Sequence, residues 1–566
     1  MKKLISILLM CCIILMVIPM ATANAQTTVE FVNISTLSIG DYGDGWIFGY
    51  DVFTNALRIL DGANIEITGS VSNGRHIIIA EDATANITLN NVSITGLRNV
   101  QPPFNLRNNA NVYLTLIGDN VLTAWNNTAA ISVDSGRTLT ISAESTGSLI
   151  ATGGTDSIAG GGGAGIGIPS SVSHTTTGTI IINGGNITAI GGGNAAGIGG
   201  GGSRNGTAGS IGNLTINGGN VIAIGSGNGA GIGGGGSTEP LGSWVATGGS
   251  GGNIAINGGT VNATSGGNGA GIGGGGTYNG VGGAGGNIII NGSIVSATSY
   301  GNTFDFGAGR VDTGTQGAIG VLNMKGNAII VGRVPSTSTL TSVIIFDYKV
   351  EPPLTSIGKI YGNFIIDRDS EINYKTIIIQ ENSTLTVAGN AVLTNNNTIK
   401  ICGTLIVRGA LKNDGTIIIC DTGKLKNNGQ ILNFEYGIIE DNYDSFYGRN
   451  PIDFPKDEPI IIAVLPNQQT ETVRVLLNIP SNQEAFLVVA FFGGQSNRMI
   501  SSVNKPITSN EMIIENMDIS EVAKIKAMMW DCMVFMTPFC GYEIVTNWNF
   551  QTQKTPRLCK RAIEEF

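Results

Sequence analysis

The feature that most restricts what this chain can fold into is a phrase that returns at fixed spacing. Residues 180–202, 214–236, 254–276 and 288–310 lie on one another without gaps. Each copy opens on an asparagine, at Asn183, Asn217, Asn257 and Asn291, with intervals of 34, 40 and 34 residues. A second asparagine follows 11 residues later in every copy, at Asn194, Asn228, Asn268 and Asn302. Apolar residues alternate before the first asparagine, as Ile180 and Ile182 or Leu214 and Ile216, and again after it, as Ile187 and Ala189 or Val221 and Ala223. A third short element is the Gly-Ile-Gly around Ile198, Ile232 and Ile272, replaced by Phe306 in the last copy. Alternation with period 2 is a strand with one buried face, and Asn-Gly-Gly between two such runs is a turn that accepts left-handed backbone. Three short strands joined by tight turns make one coil of a parallel β-helix. One coil cannot bury its own apolar face, so neighbours stack at about 4.8 Å over a shared core.

Less regular strand-like runs extend the pattern, at 85–89, 111–114 and 137–141 upstream and at 397–402 and 415–420 downstream. The downstream pair ends on Cys402 and Cys420, 18 residues apart, which should stack in adjacent coils as packed thiols or as a disulfide. The fold class expected is all-β: a long right-handed parallel β-helix over 56–437, then a small immunoglobulin-like β-sandwich. An N-terminal cap segment occupies 26–55. Asn450-Pro451 and the prolines at 455 and 459 place a linker at 438–459. Five β-type runs with turns between them suggest the sandwich at 460–548, followed by a tail at 549–566.

Met1-Lys2-Lys3, the apolar run 4–20 and Ala21, Ala23 and Ala25 read as a signal peptide cleaved after Ala25, so the chain is expected outside the cell, secreted or surface-associated. No other apolar segment is long enough to cross a bilayer. Without Lys2 and Lys3, 29 basic residues (31 less 2) face 40 acidic ones, a net charge near −11. No basic run occurs, so nucleic acid and anionic membrane are poor partners. Five cysteines remain, at 402, 420, 532, 540 and 559, too few and too scattered for a disulfide scaffold.

The phrases Ile-Asn-Gly-Gly-Asn-Ile-Thr-Ala and Gly-Ala-Gly-Ile-Gly-Gly-Gly-Gly resemble the glycine-rich β-helix region of secreted carbohydrate-binding-domain proteins of Gram-positive anaerobes, within the wider pectate-lyase-like superfold. Residues 522–531, followed by Met536-Thr537-Pro538, resemble the closing segment of a sandwich module appended to many clostridial extracellular proteins. The resemblance implies an extracellular, carbohydrate-associated architecture; it does not fix a ligand.

Enzymes on that superfold are the main rival reading. Uronate lyases need a carboxylate cluster for Ca²⁺ and a basic Arg or Lys, yet no lysine lies between Lys3 and Lys325. Hydrolysis needs a positioned carboxylate pair, and between Arg137 and Arg310 only Glu144, Asp156, Glu239 and Asp305 supply carboxylates. The glycine runs lack both the Lys-Ser/Thr of a phosphate loop and the aspartates of a Ca²⁺ β-roll. Asp41 and Asp44 can be read as a Ca²⁺ pair, but a simple turn ahead of the first coil is the favoured reading. His76 and His174 lie on separate segments and are read as surface or strand-end residues. Trp46 and Trp125 are expected to cap or fill the N-terminal coils. Trp244 lies in the loop 237–250, which leaves the repeat at the same point as 203–210 and 277–285. Arg204, Trp244 and Tyr278 are therefore the candidate ligand-binding residues, lining one edge. No catalytic residue, metal ligand or cofactor is assigned. The reading adopted is a non-enzymatic polysaccharide-binding protein, for plant cell-wall or bacterial envelope glycan. The alternative is a structural or adhesive surface protein displaying the sandwich, with a polysaccharide lyase or glycoside hydrolase third.

Overall fold

The computed structural model describes residues 29–545 except 50–54, 73, 99–100, 156–160, 171–174, 205, 239–244, 302–303, 347–356, 373, 435, 454–459, 468–471, 479–485, 494–498, 508–510, 515–521 and 531–537. The signal segment, the tail, His174, Trp244, Asn302, Cys532 and Cys559 lie outside the described residues. Every regular element among the described residues is a strand.

The glycine-rich repeats form coils with three parallel faces. One coil runs through Asn186–Ile190, Ile198–Gly199 and Asn213–Ile216, and each strand pairs in register with its counterpart one repeat on. Ile187, Ala189, Ile198, Leu214 and Ile216 point inward and are buried, and their equivalents continue the same core along the stack. The outward column Thr188, Ile222, Asn262 and Ser296 is also in register. The second glycine of each Asn-Gly-Gly turn takes positive φ, at Gly185, Gly219 and Gly259, as the turn chemistry requires.

The two asparagine series are both ladders, of different kinds. Asn217 donates to Asn183 at 2.8 Å and Asn257 to Asn217 at 3.0 Å, side chain to side chain on an exposed turn. Asn194, Asn228 and Asn268 are buried. There each amide oxygen accepts the backbone N–H of the next asparagine, at 2.9 and 3.4 Å, and Nδ2 of Asn228 donates to the Ser237 carbonyl at 3.0 Å.

At the N-terminus the cap segment is in part a strand of the stack. Glu30–Asn33 pairs parallel with residues 65–68, and the hairpin of Tyr42–Gly43 with Trp46–Phe48 closes one face against Ala56–Ile59. Trp46 is buried there, whereas Trp125, expected like it to cap or fill these coils, is 52% exposed and so does not fill the core. It lies two residues beyond the strand Asp119–Thr123.

A single β-helix over 56–437 is not what the chain makes. Val343–Phe346 pairs in parallel with Ala328–Val331 on one edge and antiparallel with Ile357–Tyr361 on the other. Val343 and Ile345 lie in the first core, while Ile344 packs against a second core that contains Phe346 and Ile360. Strand direction and buried side both invert across this joint. Reversing both together leaves the sense of winding unchanged, so the two stacks share the same hand. The joint is readable afterwards in Val343-Ile344-Ile345-Phe346, an apolar run without alternation, the pattern of a strand covered on both faces.

The second stack is triangular too, with faces led by Ile357–Tyr361, Asn363–Ile366 and Ser370–Ile372 and five strands on each of the latter two. It continues through Ile438–Asp441, Phe446–Gly448 and Ile452–Asp453, so most of the expected linker is a final coil, because Ile439 and Phe446 pack onto the core. Cys402 and Cys420 are disulfide-bonded across adjacent coils with Cα atoms 5.0 Å apart. Asn395, Asn413 and Asn433 add a third ladder, linked at 2.7 Å per step.

The C-terminal part consists of two antiparallel sheets sharing a core that includes Val475, Leu477, Val489, Phe491 and Ile525. Arg474 reaches from it to Asp369 of the second stack through paired hydrogen bonds of 2.9 and 2.5 Å.

Candidate functional site

The described parts of the loops that carry the sequence candidates pair in parallel from coil to coil. Ser203, Ser237 and Thr277 bridge in parallel, and Thr277–Val281 pairs in parallel both with Ala246–Thr247 and with Val311–Thr315. At the root of these loops, glycines of the outgoing and returning limbs alternate: Gly209 donates to Gly201, Gly235 to Gly209, Gly249 to Gly235 and Gly275 to Gly249, at 2.8–2.9 Å. With no side chains to separate them, the two limbs close on each other and the loops stand out from the stack as a fin.

One residue beyond the Ser203–Ser237–Thr277–Val311 column, buried at its first three members, lie Arg204, Thr238, Tyr278 and Asp312. Arg204 and Tyr278 thus occupy one column two coils apart, about 10 Å by strand spacing. Tyr278 is 48% exposed. The column is tied by Thr238 Oγ1 donating to the Arg204 carbonyl at 3.1 Å and Thr313 Oγ1 to the Tyr278 carbonyl at 3.4 Å. Asp312 pairs with Arg310 at 3.0 Å and accepts from Asn268 at 3.1 Å. Trp244, the third candidate, is outside the described residues; Val245, which follows it, is exposed.

A second feature was not singled out in the sequence. A groove of about 520 Å³ crosses four coils just after the position where the fin returns to the stack. Its floor is the opening column of one face, Thr138–Thr179–Asn213–Asn253, paired residue by residue. Asn253 donates to Asn213 at 3.0 Å. Arg137 stands at one end, its side chain only 15% exposed, with Nη1 at 2.5 Å from Asp134, which also accepts from Ser132 at 2.8 Å. The Arg137 Nε–H is buried without an acceptor. Burial lowers the Arg137 pKa from the ordinary arginine value, Asp134 opposes the shift, and the nearby Arg107 adds to it. The groove escapes a sequence reading because threonine, glycine and asparagine are unremarkable singly. Aligning the strand-opening residues across coils is the signal that brings them together.

The remaining candidates have structural roles. Asp41 accepts the Ser38 N–H at 2.7 Å beside the hairpin whose turn includes Asp44, which is the turn reading. His76 opens a strand and is fully buried rather than at the surface. Asp305 is buried under Arg333, which donates to it at 2.5 and 3.0 Å, and under Ser299. Among the described residues no three His, Cys, Asp or Glu side chains converge as a metal site, and no helix is long and apolar enough to cross a membrane. No family model, curated protein or solved structure matches this chain.

Proposed function

We propose that this is a secreted or cell-surface polysaccharide-binding protein without enzymatic activity, in which a right-handed parallel β-helix presents the fin to an extended glycan. The observation that carries the reading is the fin itself. Loops leaving successive coils at one position pair in parallel along one edge, and Arg204 and Tyr278 share a column of it. An exposed aromatic ring is a surface on which a sugar stacks, and a guanidinium adds hydrogen bonds to its hydroxyls. A repeated ligand on a repeated edge gains avidity even when each contact is weak. The extracellular setting rests on the charge pair, apolar run and small residues of 1–25, and the right hand on the strong preference of parallel crossovers. An immunoglobulin-like module at 460–548 is supported by the split of its strands into antiparallel sheets of three and four over one core.

The test is retention on a panel of insoluble plant and bacterial polysaccharides. Tyr278→Ala combined with Trp244→Ala should weaken retention about tenfold, equivalent to roughly 1.4 kcal/mol, with melting unchanged. Retention equal to the parent's removes the fin assignment. The structural or adhesive reading is favoured by one observation, the Arg474–Asp369 pair that fastens the C-terminal module to the second stack. Absence of retention on every polysaccharide, with the module still fastened, would select it.

A further inference from the structure

We infer that the groove beside the fin is a second binding site, for an anionic unit of a linear glycan lying along the stacking axis. The inference rests on the polysaccharide reading but uses different residues, and it names the ligand class.

Three observations converge. The floor repeats with the coil: Thr138, Thr179, Asn213 and Asn253 offer one hydroxyl or amide per step of about 4.8 Å, spanning about 14 Å. That step is close to the length one sugar unit adds to an extended glycan, so consecutive sugars meet equivalent donors and acceptors. The lining contains Arg137 and no carboxylate, in a chain whose 40 acidic residues outnumber its 31 basic ones. Finally, Arg137 is not fully engaged. Asp134 takes Nη1, while Nε–H is buried and has no acceptor, and Arg107 lies near enough to act on Arg137 electrostatically. A planar guanidinium matches a carboxylate or sulfate through two parallel N–H donors, so an anion entering the groove can use the donors that Asp134 leaves free. Serine and threonine hydroxyls such as Thr176 on the rim suit the neutral hydroxyls of adjoining sugars.

The experiment uses the full mature chain and calorimetric titration with an oligogalacturonate, its carboxyl-reduced counterpart and a sulfated neutral-backbone oligosaccharide of the same length. The parent should bind the acidic probe at least tenfold more tightly than the reduced one, with an affinity that falls as salt rises. The sulfated probe tells whether carboxylate or sulfate is the better anion. Arg137→Gln should abolish the preference, Arg137→Lys should keep part of it, and Asp134→Asn should strengthen it by freeing the guanidinium. Circular dichroism confirms that each variant is folded. Equal affinity of the parent for the acidic and reduced probes, or an unchanged preference in Arg137→Gln, overturns the inference. Retention of neutral polysaccharide without acid preference defeats the groove alone and leaves the proposed function standing. Arg137-dependent acid binding, with polysaccharide retention unaffected by Tyr278→Ala and Trp244→Ala, defeats the fin alone. Binding of no probe and no polysaccharide defeats both.

Discussion

The stack tolerates little at its glycine column. Gly199, Gly233 and Gly273 each have φ near +140° (136°, 137° and 141°), and a Cβ on any of them would overlap the backbone carbonyl of the equivalent glycine one coil on. The obstacle is backbone, so neighbouring side chains cannot relieve it. Gly233→Ala should cost about 3–5 kcal/mol, from strained φ and overpacking together, and denaturant unfolding measures it. The Gly-Ile-Gly phrase showed that a glycine belongs there; that it answers to the next coil's carbonyl needed the stacking register. His76 shows the opposite case, a residue whose sequence context gave no sign of full burial. Burial lowers its pKa below 6.5, with the Gly74 carbonyl opposing and Arg107 assisting. The unfolded chain then binds more protons than the folded one, so the contribution of neutral His76 is complete above about pH 6.5 and is lost as pH falls below it. His76→Leu should flatten that part of the stability–pH curve, and an unchanged slope would show that another group sets it.

Among elements, the two asparagine ladders look alike in sequence and differ in energy. Asn217 sits on an exposed turn, where its loss exchanges ladder hydrogen bonds for water. Asn228 is 2% exposed and serves both the Asn268 N–H and the Ser237 carbonyl. Asn228→Ala leaves buried backbone groups unsatisfied, at about 1–3 kcal/mol each, whereas Asn217→Ala should cost less than about 1 kcal/mol. Midpoints of urea unfolding compare the two directly. The spacing of 11 residues aligned both series but did not show which was inside, because burial of the second depends on the Ser237 and Thr277 carbonyls that Asn228 and Asn268 meet in the folded stack. The fin edge itself was legible from loops leaving at one repeat position, while the groove was not, since its floor residues come from coils 34 to 41 residues apart in the chain (138, 179, 213 and 253).

At the scale of the whole molecule, the two stacks are joined through one sheet buried on both sides, and the joint separates the fates of adjacent residues. Ile345 points into the first core and Ile344 toward the second, although both belong to the same strand. Solenoid stability is carried by each coil and its neighbours, so damage propagates mainly within the stack that loses the contact. Ile345→Ala should therefore reduce amide protection first in Val321–Lys325 and Ala328–Val331, and Ile344→Ala in Ile357–Tyr361 and Thr376–Ile379. Each removes buried methyl groups at about 2–5 kcal/mol, with Ile344 at the lower end because it is only partly buried. Hydrogen exchange resolved by segment separates the outcomes. If either substitution lowers protection equally in both stacks, the shared sheet couples them into one cooperative unit. If each acts on its own side, the two cores are independent, and the antiparallel joint is a mechanical splice between solenoids of the same hand.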